Sequence, residues 1–302
     1  MRKNFLVPLL ALLVLVVGCK DNEKVNQQET ILKGATSIIV DETLLPIIQD
    51  QIMVFESQYD AKITAVPRSE AEAILAFTTD TARIIILSRK LTEQELKIFE
   101  QKKITAKQTK FASDGIALIT NSKSKDSIVD MASVVAFLKG DKTTNIKGLV
   151  FDNPNSSTSR IITEMAGISK LPENGAFSYN TNQEAIKFIS ENDGMIGVVG
   201  LNWLIEPELD NQEVLKNIKI LAVKGLNSDE YVTPSQNNIA EGRYPLARDL
   251  FIVNAQGFAG LGMGFGSFIT GERGQRIILK SGLLPVKMPS RNILIRTTTQ
   301  NK

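Results

Sequence analysis

The chain has 302 residues, with 35 Lys and Arg against 33 Asp and Glu, no histidine and one cysteine. Without histidine there is no Ser-His-Asp or Cys-His catalysis and no His-bearing metal site, and one cysteine leaves no internal disulfide, cysteine cluster or redox pair. The proportions of 43% apolar and 23% charged residues are those of a folded globular protein, and the length suggests two lobes.

Arg2 and Lys3 make a positive start, and Phe5 to Val17 is an apolar run of thirteen residues broken only by Pro8. As a helix it is too short to cross roughly 30 Å of hydrocarbon. The run ends in Val16-Val17-Gly18-Cys19, which resembles the lipobox of bacterial lipoproteins. That resemblance implies a signal peptide over residues 1–18 and a lipid on Cys19, the new N-terminus; an ordinary anchor helix is the competing reading. Cleavage leaves 33 charges of each sign, with no basic excess to hold nucleic acid. Residues 19–33 are expected to be a tether, since Lys20 to Lys33 is polar and spans roughly 20 Å as a flexible coil. Lys20-Asp21 resembles the surface-export signal of some lipoproteins. The expected location is the bacterial envelope, on the periplasmic side or at the surface.

Beyond the tether, strands and helices alternate. Ser37 to Val40 reads as a strand buried on both faces. Leu44, Ile48, Ile52 and Phe55 fall at helical spacing, and Ile63 to Val66 is the next strand. Ser69 with Glu72, and Thr92 with Glu95, are capping boxes on either side of a strand at Arg83 to Leu87. Phe111 to Asn121 is a long strand, and Asp126 or Ser127 is expected to open a helix ended by Gly140. Leu149 to Phe151 is strand-like, and Ser156 to Arg160 precede a helical pattern at Ile161, Ile162 and Met165. Thr181 with Glu184 caps another helix. Met195 to Val199, Ile218 to Val223 and Pro245 to Asn254 read as strands, and from Phe265 to about Ser281 the chain is helical. This alternation predicts an α/β fold with parallel sheets.

Several stretches resemble one family. Ser88-Arg89-Lys90-Leu91 follows a strand like its "S-R-x-L". Asp114-Gly115-Ile116-Ala117 resembles its "D-G-I-A" and Ile196-Gly197-Val198-Val199-Gly200 its "I-G-Y-x-G". Tyr244-Pro245-Leu246-Ala247-Arg248 resembles "Y-P-L-x-R", and Gly274-Gln275 with Gly282-Leu283-Leu284-Pro285 resembles "G-Q…G-F-L-P". In this order they resemble the PstS-like phosphate-binding lipoproteins of the periplasmic binding protein (PBP) superfamily. The resemblance implies two Rossmann-like lobes with mixed, mostly parallel sheets, joined by two crossover strands, and ligand in the cleft between them. Lobe 1 is expected over 34–115 plus 250–302, and lobe 2 over 116–249.

A buried oxyanion is held by helix N-termini, hydroxyl donors and Arg. Thr43, Ser69, Ser88 and the run Ser156-Ser157-Thr158-Ser159 all stand where a strand gives way to a helix. The run matches the family's "S-G-T" loop, which implies that Ser156 and Thr158 donate to the ligand; ordinary helix capping is the alternative for all of these residues. The pattern also departs from the family. Asp152 stands where an Arg is usual, Ser157 replaces the middle Gly, and Asp41-Glu42 places two acids near the anion. Arg160, Arg89 or Arg68 would restore positive charge.

Other signals are weaker. Ser122 to Lys125 contains S-x-x-K, but in a charged loop and without partner motifs. Gly257 to Gly266 lacks the spacing of a nucleotide-binding loop and reads as flexibility or close packing. Glu206 and Glu208 read as solvated surface, and Trp203 and Phe251 as core. The expectation is therefore a non-enzymatic, lipid-anchored solute-binding protein without cofactor or metal. It would capture a small oxyanion, phosphate first, for a membrane transporter, either an ABC permease or a TonB-type complex. The alternative is a PBP-like accessory module of an outer-membrane complex that binds no small ligand.

Overall fold

In the computed structural model, residues 29–79, 82–205 and 212–289 are described. The leader, Cys19, the start of the expected tether, the Glu206 and Glu208 pair and the tail from 290 lie outside them.

The expected alternation is present. β1 (Lys33–Asp41) runs through a 3-10 turn at Glu42–Leu44 into α1 (Leu45–Glu56), followed by β2 (Asp60–Arg68), α2 (Glu70–Thr78), β3 (Ile84–Leu87) and α3 (Glu93–Gln101). Both capping boxes form: Ser69 and Thr92 accept from the backbone N–H of Glu72 and Glu95, and those carboxylates accept in return. Each box satisfies two donors that the first helical turn leaves without partners.

Next come β4 (Lys107–Asn121), β5 (Ile128–Asp130), α4 (Met131–Leu138), β6 (Leu149–Phe151), α5 (Ser157–Ala166), β7 (Ala176–Ser178), α6 (Asn182–Glu191) and β8 (Ile196–Gly200). The short elements α7 (Asn202–Ile205), α8 (Gln212–Leu215), β9 (Ile218–Ile220), β10 (Ala222–Lys224), β11 (Tyr231–Val232) and α9 (Gln236–Ala240) lead to β12 (Ala247–Asn254). The described chain closes with α10 (Leu261–Thr270), α11 (Glu272–Lys280) and β13 (Leu284–Pro285).

One sheet runs β2-β1-β3-β12-β4-β8-β6-β7, with β9 and β13 also on β4. Its flanks are parallel (β1 with β2 and β3, β6 with β7 and β8), and β4 pairs antiparallel with β12, β8, β9 and β13. β4 belongs to both halves. Its first part, to Gly115, pairs with β12, and Ile116 to Ile119 pair with β8. The cores divide at the same place. Phe111 and Ala112 pack with Ile38, Leu44, Ile252 and Phe265, whereas Ile116 to Ile119 pack with Val150, Ile162, Ile189 and Val198.

Two expected elements differ. The helix expected from Asp126 or Ser127 begins at Met131, because Ile128 to Asp130 pair as a strand with β10 and Asp130 then caps α4. The single strand at Ile218 to Val223 is two strands. Ile218 to Ile220 pair with β4, Ala222 to Lys224 pair with β5, and the Leu221 N–H turns to the Leu118 carbonyl.

Close packing explains Gly260, Gly262 and Gly264 of the glycine run, while a Cβ on Gly257 or Gly266 would find room. Gly262, Gly264 and Gly266 lie in α10, and a Cβ on Gly264 would stand 1.7 Å from the Ile31 carbonyl oxygen. The Glu29 carboxylate accepts from the Leu261 N–H at 2.6 Å, so the end of the expected tether is pinned to the start of this helix. Gly264→Ala should therefore destabilise the protein by roughly 1–3 kcal/mol despite the higher helix propensity of alanine. A melting temperature at or above wild type would show that Ile31 has room to move. Among the described residues, no helix is long and apolar enough to cross a membrane.

Candidate functional site

The C-terminal ends of β1, β6 and β8 meet the middle of β4 and the start of β12, and most of the polar side chains buried there come from the turns that follow the strands. Asp41 ends β1, and its Oδ1 accepts from Thr43 N at 3.1 Å and Thr43 Oγ1 at 3.0 Å. Thr43 Oγ1 lies 3.1 Å from Ser157 Oγ, in the first turn of α5. Arg248 Nη1 donates to Ser157 Oγ at 2.7 Å. With Ser157 accepting from Arg248 and Thr43 donating to Asp41, the Ser157 hydroxyl donates to Thr43. One directed chain of bonds therefore links β12, α5 and the turn after β1.

Arg248 also makes a buried bidentate pair with Asp114, Nε to Oδ1 at 2.7 Å and Nη2 to Oδ2 at 3.0 Å. Arg248 on β12 stands directly opposite Asp114 on β4. The pair lies at the point where β4 passes from one core to the other.

Beside this chain sits a second carboxylate. Asp152, just after β6, accepts from Ser156 Oγ at 2.8 Å and from the Thr158 hydroxyl, both through Oδ1. Asp152 Oδ2 accepts from Asn182 Nδ2 at 3.2 Å. Asn182, at the start of α6, also donates to Glu42 from its backbone N (3.1 Å) and from Nδ2 (2.5 Å), and its Oδ1 accepts from Gly200 N at 2.8 Å. Asn202 Nδ2 reaches the Thr43 carbonyl at 2.6 Å, and Trp203 Nε1 reaches the Glu42 carbonyl at 3.3 Å. Gly200 permits this approach, since a Cβ there would lie 2.7 Å from the Thr43 carbonyl oxygen. Asp41 Oδ2 and Asn202 Oδ1 are buried without a hydrogen-bond partner.

The electrostatics are acidic. Arg248 feels the charges of three carboxyl groups, those of Asp114, Asp41 and Asp152, and Glu42 lies beside Asp152 and Asp41. Burial, then the charge of Glu70, pushes Asp41 up to about 7. Burial, then the charge of Asp152, pushes Glu42 up to about 8. Burial also raises Asp114 against the pull of Arg248, and raises Asp152 against the pull of the Thr158 and Ser156 hydroxyls. Two unit charges about 5 Å apart interact by roughly 3 kcal/mol at an effective dielectric of about 20, so a fully ionised cluster would strain the fold. Protonating Glu42 and partly protonating Asp41 relieves that repulsion.

The structure sorts the sequence-predicted residues into two groups. Thr43, Ser156, Ser157 and Thr158 come together here. Ser69 is the cap of α2, and Ser88, Arg89 and Arg160 gather around the buried Glu70. Glu70 accepts from Ser88 Oγ at 3.0 Å, Arg89 Nε at 3.3 Å and Arg160 Nε at 2.5 Å. Arg89 also forks onto Glu95 with two bonds of 2.8 Å, and Arg160 pairs with Glu164. Glu70, Arg89, Glu95 and Arg160 line an open cleft of about 640 Å³ with Asn155, Ser156 and Lys170. Arg68 is exposed at the end of β2. Trp203 is half-buried and Phe251 buried, as core residues.

Sequence reasoning missed Arg248, Asp114, Asn182 and Asn202 as site residues. Arg248 and Asp114 stood in the stretches that carried the family resemblance, but only the register of two strands sets them face to face. Asn182 and Asn202 carried no signal. Among the described residues, no group of three or more Cys, Asp or Glu side chains is placed to hold a metal ion.

The model of the PBP superfamily domain matches residues 25–273. Among solved structures, a protein from Clostridium perfringens assigned as a phosphate ABC transporter substrate-binding protein, with bound phosphate, is 21% identical. The match covers 84% of this chain and 100% of that one, with a TM-score of 0.70. An ABC-type phosphate transport receptor from Vibrio cholerae is 17% identical over 83% of this chain and 100% of its own, with a TM-score of 0.62. PstS from Borrelia burgdorferi is 24% identical over 85% and 100%, with a TM-score of 0.50. At these identities the likeness is one of fold. No curated protein sequence matches the chain.

Proposed function

The chain belongs to the PBP superfamily, and from that premise we propose that it is a lipid-anchored solute-binding protein of an envelope transport system, with a small oxyanion, phosphate first, as its ligand. The two halves that share β4 act as lobes, residues 34–115 with 250–302 and residues 116–249. The ligand sits where they meet, at Thr43, Ser157, Thr158 and Arg248. One observation carries this reading: the buried Arg248 guanidinium reaches the first turn of α5 at Ser157, beside Thr43. A cation, hydroxyls and helix N-terminal N–H groups together are the donor set that an oxyanion requires. The phosphate named for the Clostridium perfringens and Vibrio cholerae proteins supports phosphate as the first choice. Ser88, Arg89 and Arg160 serve instead to tie the turn after β3 and α5 to α2 through Glu70.

Calorimetry of the full-length protein in detergent against phosphate, sulfate and molybdate tests the proposal. Phosphate should give saturable heat. Thr158→Ala, which removes one charge-assisted donor, should weaken binding by about one to two orders of magnitude. An unchanged affinity in that variant removes the hydroxyl run from the site.

A second reading rests on a specific observation. Ser156 and Thr158 already donate to Asp152, and Thr43 to Asp41, so the seat is satisfied without a ligand. A PBP-like accessory module of a TonB-type complex would look like this, and the absence of heat with all three anions, from wild type and from a folded protein without the Asp152 carboxylate, would favour it.

The anchor has its own test. Cys19→Ser should leave the protein unprocessed or released, because the chain has no other cysteine to carry the lipid. Membrane partitioning by a cleaved Cys19→Ser protein would overturn the anchor.

A further inference from the structure

Asp152 is buried completely, and its carboxylate is held as proteins hold a free oxyanion. Two hydroxyls from the start of α5, Ser156 and Thr158, converge on Oδ1, and the Asn182 amide reaches Oδ2. Between those hydroxyls, Ser157 carries the Arg248 guanidinium, and the Asp152 charge acts on that cation. Hydroxyls, an amide, a helix start and a nearby arginine surround an anion that belongs to the chain itself.

This carboxylate is not needed to begin the helix. Ser156 Oγ already accepts from Ser159 N at 3.2 Å, and Ser159 Oγ ties back to the Asn153 carbonyl at 2.6 Å. Asn153 Oδ1 also accepts from the Asn155 N–H at 2.9 Å, so the loop has bonds of its own beside those to Asp152. On the opposite side, Glu42 from the other half accepts from the same Asn182 Nδ2, so two acids share one NH2 group.

We propose that Asp152 is a built-in anion that fills the oxyanion seat at the start of α5, and that it sets the selectivity of that seat. The proposal rests on the oxyanion reading above and concerns the same site. An incoming anion must take Ser156 and Thr158 away from Asp152 and then lie beside its charge. The charge falls hardest on a dianion, so the wild-type protein binds phosphate and sulfate weakly, and removing the carboxylate frees the Thr158 hydroxyl and the space of the group, while Ser156 Oγ also has the Asn153 carbonyl at 2.8 Å.

The test is calorimetry of full-length wild type, Asp152→Ala and Asp152→Asn in detergent against phosphate and sulfate, with a thermal melt of each sample. Asp152→Ala should bind phosphate at least about tenfold more tightly than wild type, including from an undetectable start, with Asp152→Asn between them. Equal phosphate affinity in wild type and in whichever variants melt cooperatively would overturn the proposal and leave the oxyanion reading standing. No binding by wild type or by any folded variant would overturn the oxyanion reading, and the proposal with it. Asp152→Asn keeps the side-chain shape, so it decides by the same criterion if the alanine protein does not fold.

Discussion

Arg248→Met is expected to destabilise the protein by roughly 3–5 kcal/mol, the usual cost of removing one partner of a buried ion pair. The pair is almost fully enclosed, with side-chain exposures of 3% for Arg248 and 0% for Asp114. Without the guanidinium, Asp114 must either stay ionised in an apolar strand or take up a proton. Ser157 would also lose its donor, and the chain of bonds to Thr43 and Asp41 would lose its source. Replacing both partners, as in Arg248→Met with Asp114→Leu, should cost much less, since no lone charge remains. Denaturant melts of the single and double variants measure the difference. A single variant within 1 kcal/mol of wild type would mean that the pair contributes little to holding β12 against β4.

Stability should also fall as pH rises from about 5 to about 8.5. Glu42 and Asp41 titrate near 8 and 7 in the folded protein, well above the ordinary carboxylate range that applies after unfolding. Between those values the folded state keeps protons that the unfolded chain has released, so stability is greatest at the acidic end of the window and levels off above about pH 8.5. Discounted for the coupling within the cluster, the loss amounts to roughly 2–4 kcal/mol and several degrees of melting temperature. Toward lower pH two other carboxylates act in the opposite direction. Glu56 and Glu95 are held low in the folded state, Glu56 by the Ile63 N–H and Lys62, and Glu95 by Arg89, and both overcome their own burial. Their contribution is lost as they are protonated. Melting curves at pH 5.5, 7 and 8.5 are sufficient, and a midpoint that rises across that range would show Glu42 and Asp41 ionised in the native protein. Glu42→Gln should flatten the profile, because its amide never gains the charge that burial opposes.

The parts of the fold that sequence reading captured are those whose causes lie within a few residues. Ser69 with Glu72 and Thr92 with Glu95 are reciprocal caps three residues apart, and both form. The strand at Ile84 to Leu87 is four apolar residues in a row, and it is buried throughout. Ile128 and Val129 failed the same reading because their partner, β10, lies more than ninety residues further along the chain. The site divides in the same way. A run of four hydroxyl residues before a helix is visible in the chain, and Asp152 was visible as an acid out of place. That the first captures the second depends on how the turn after β6 folds back. Arg248 was hidden because its partner Asp114 is 134 positions away, and only strand register joins them.

β4 contributes to a hydrophobic core in each half of the molecule, and this binds their fates together. Alternate residues of a strand face opposite sides, so a slip of β4 by one position would misplace Ala112 against β12 and Ile116 against β8 at once. Neither core can lose its register while the other keeps it. Two halves with separate interiors are thereby made a single cooperative unit, and the strand that would serve as the axis of any movement between them also keeps one half from melting alone.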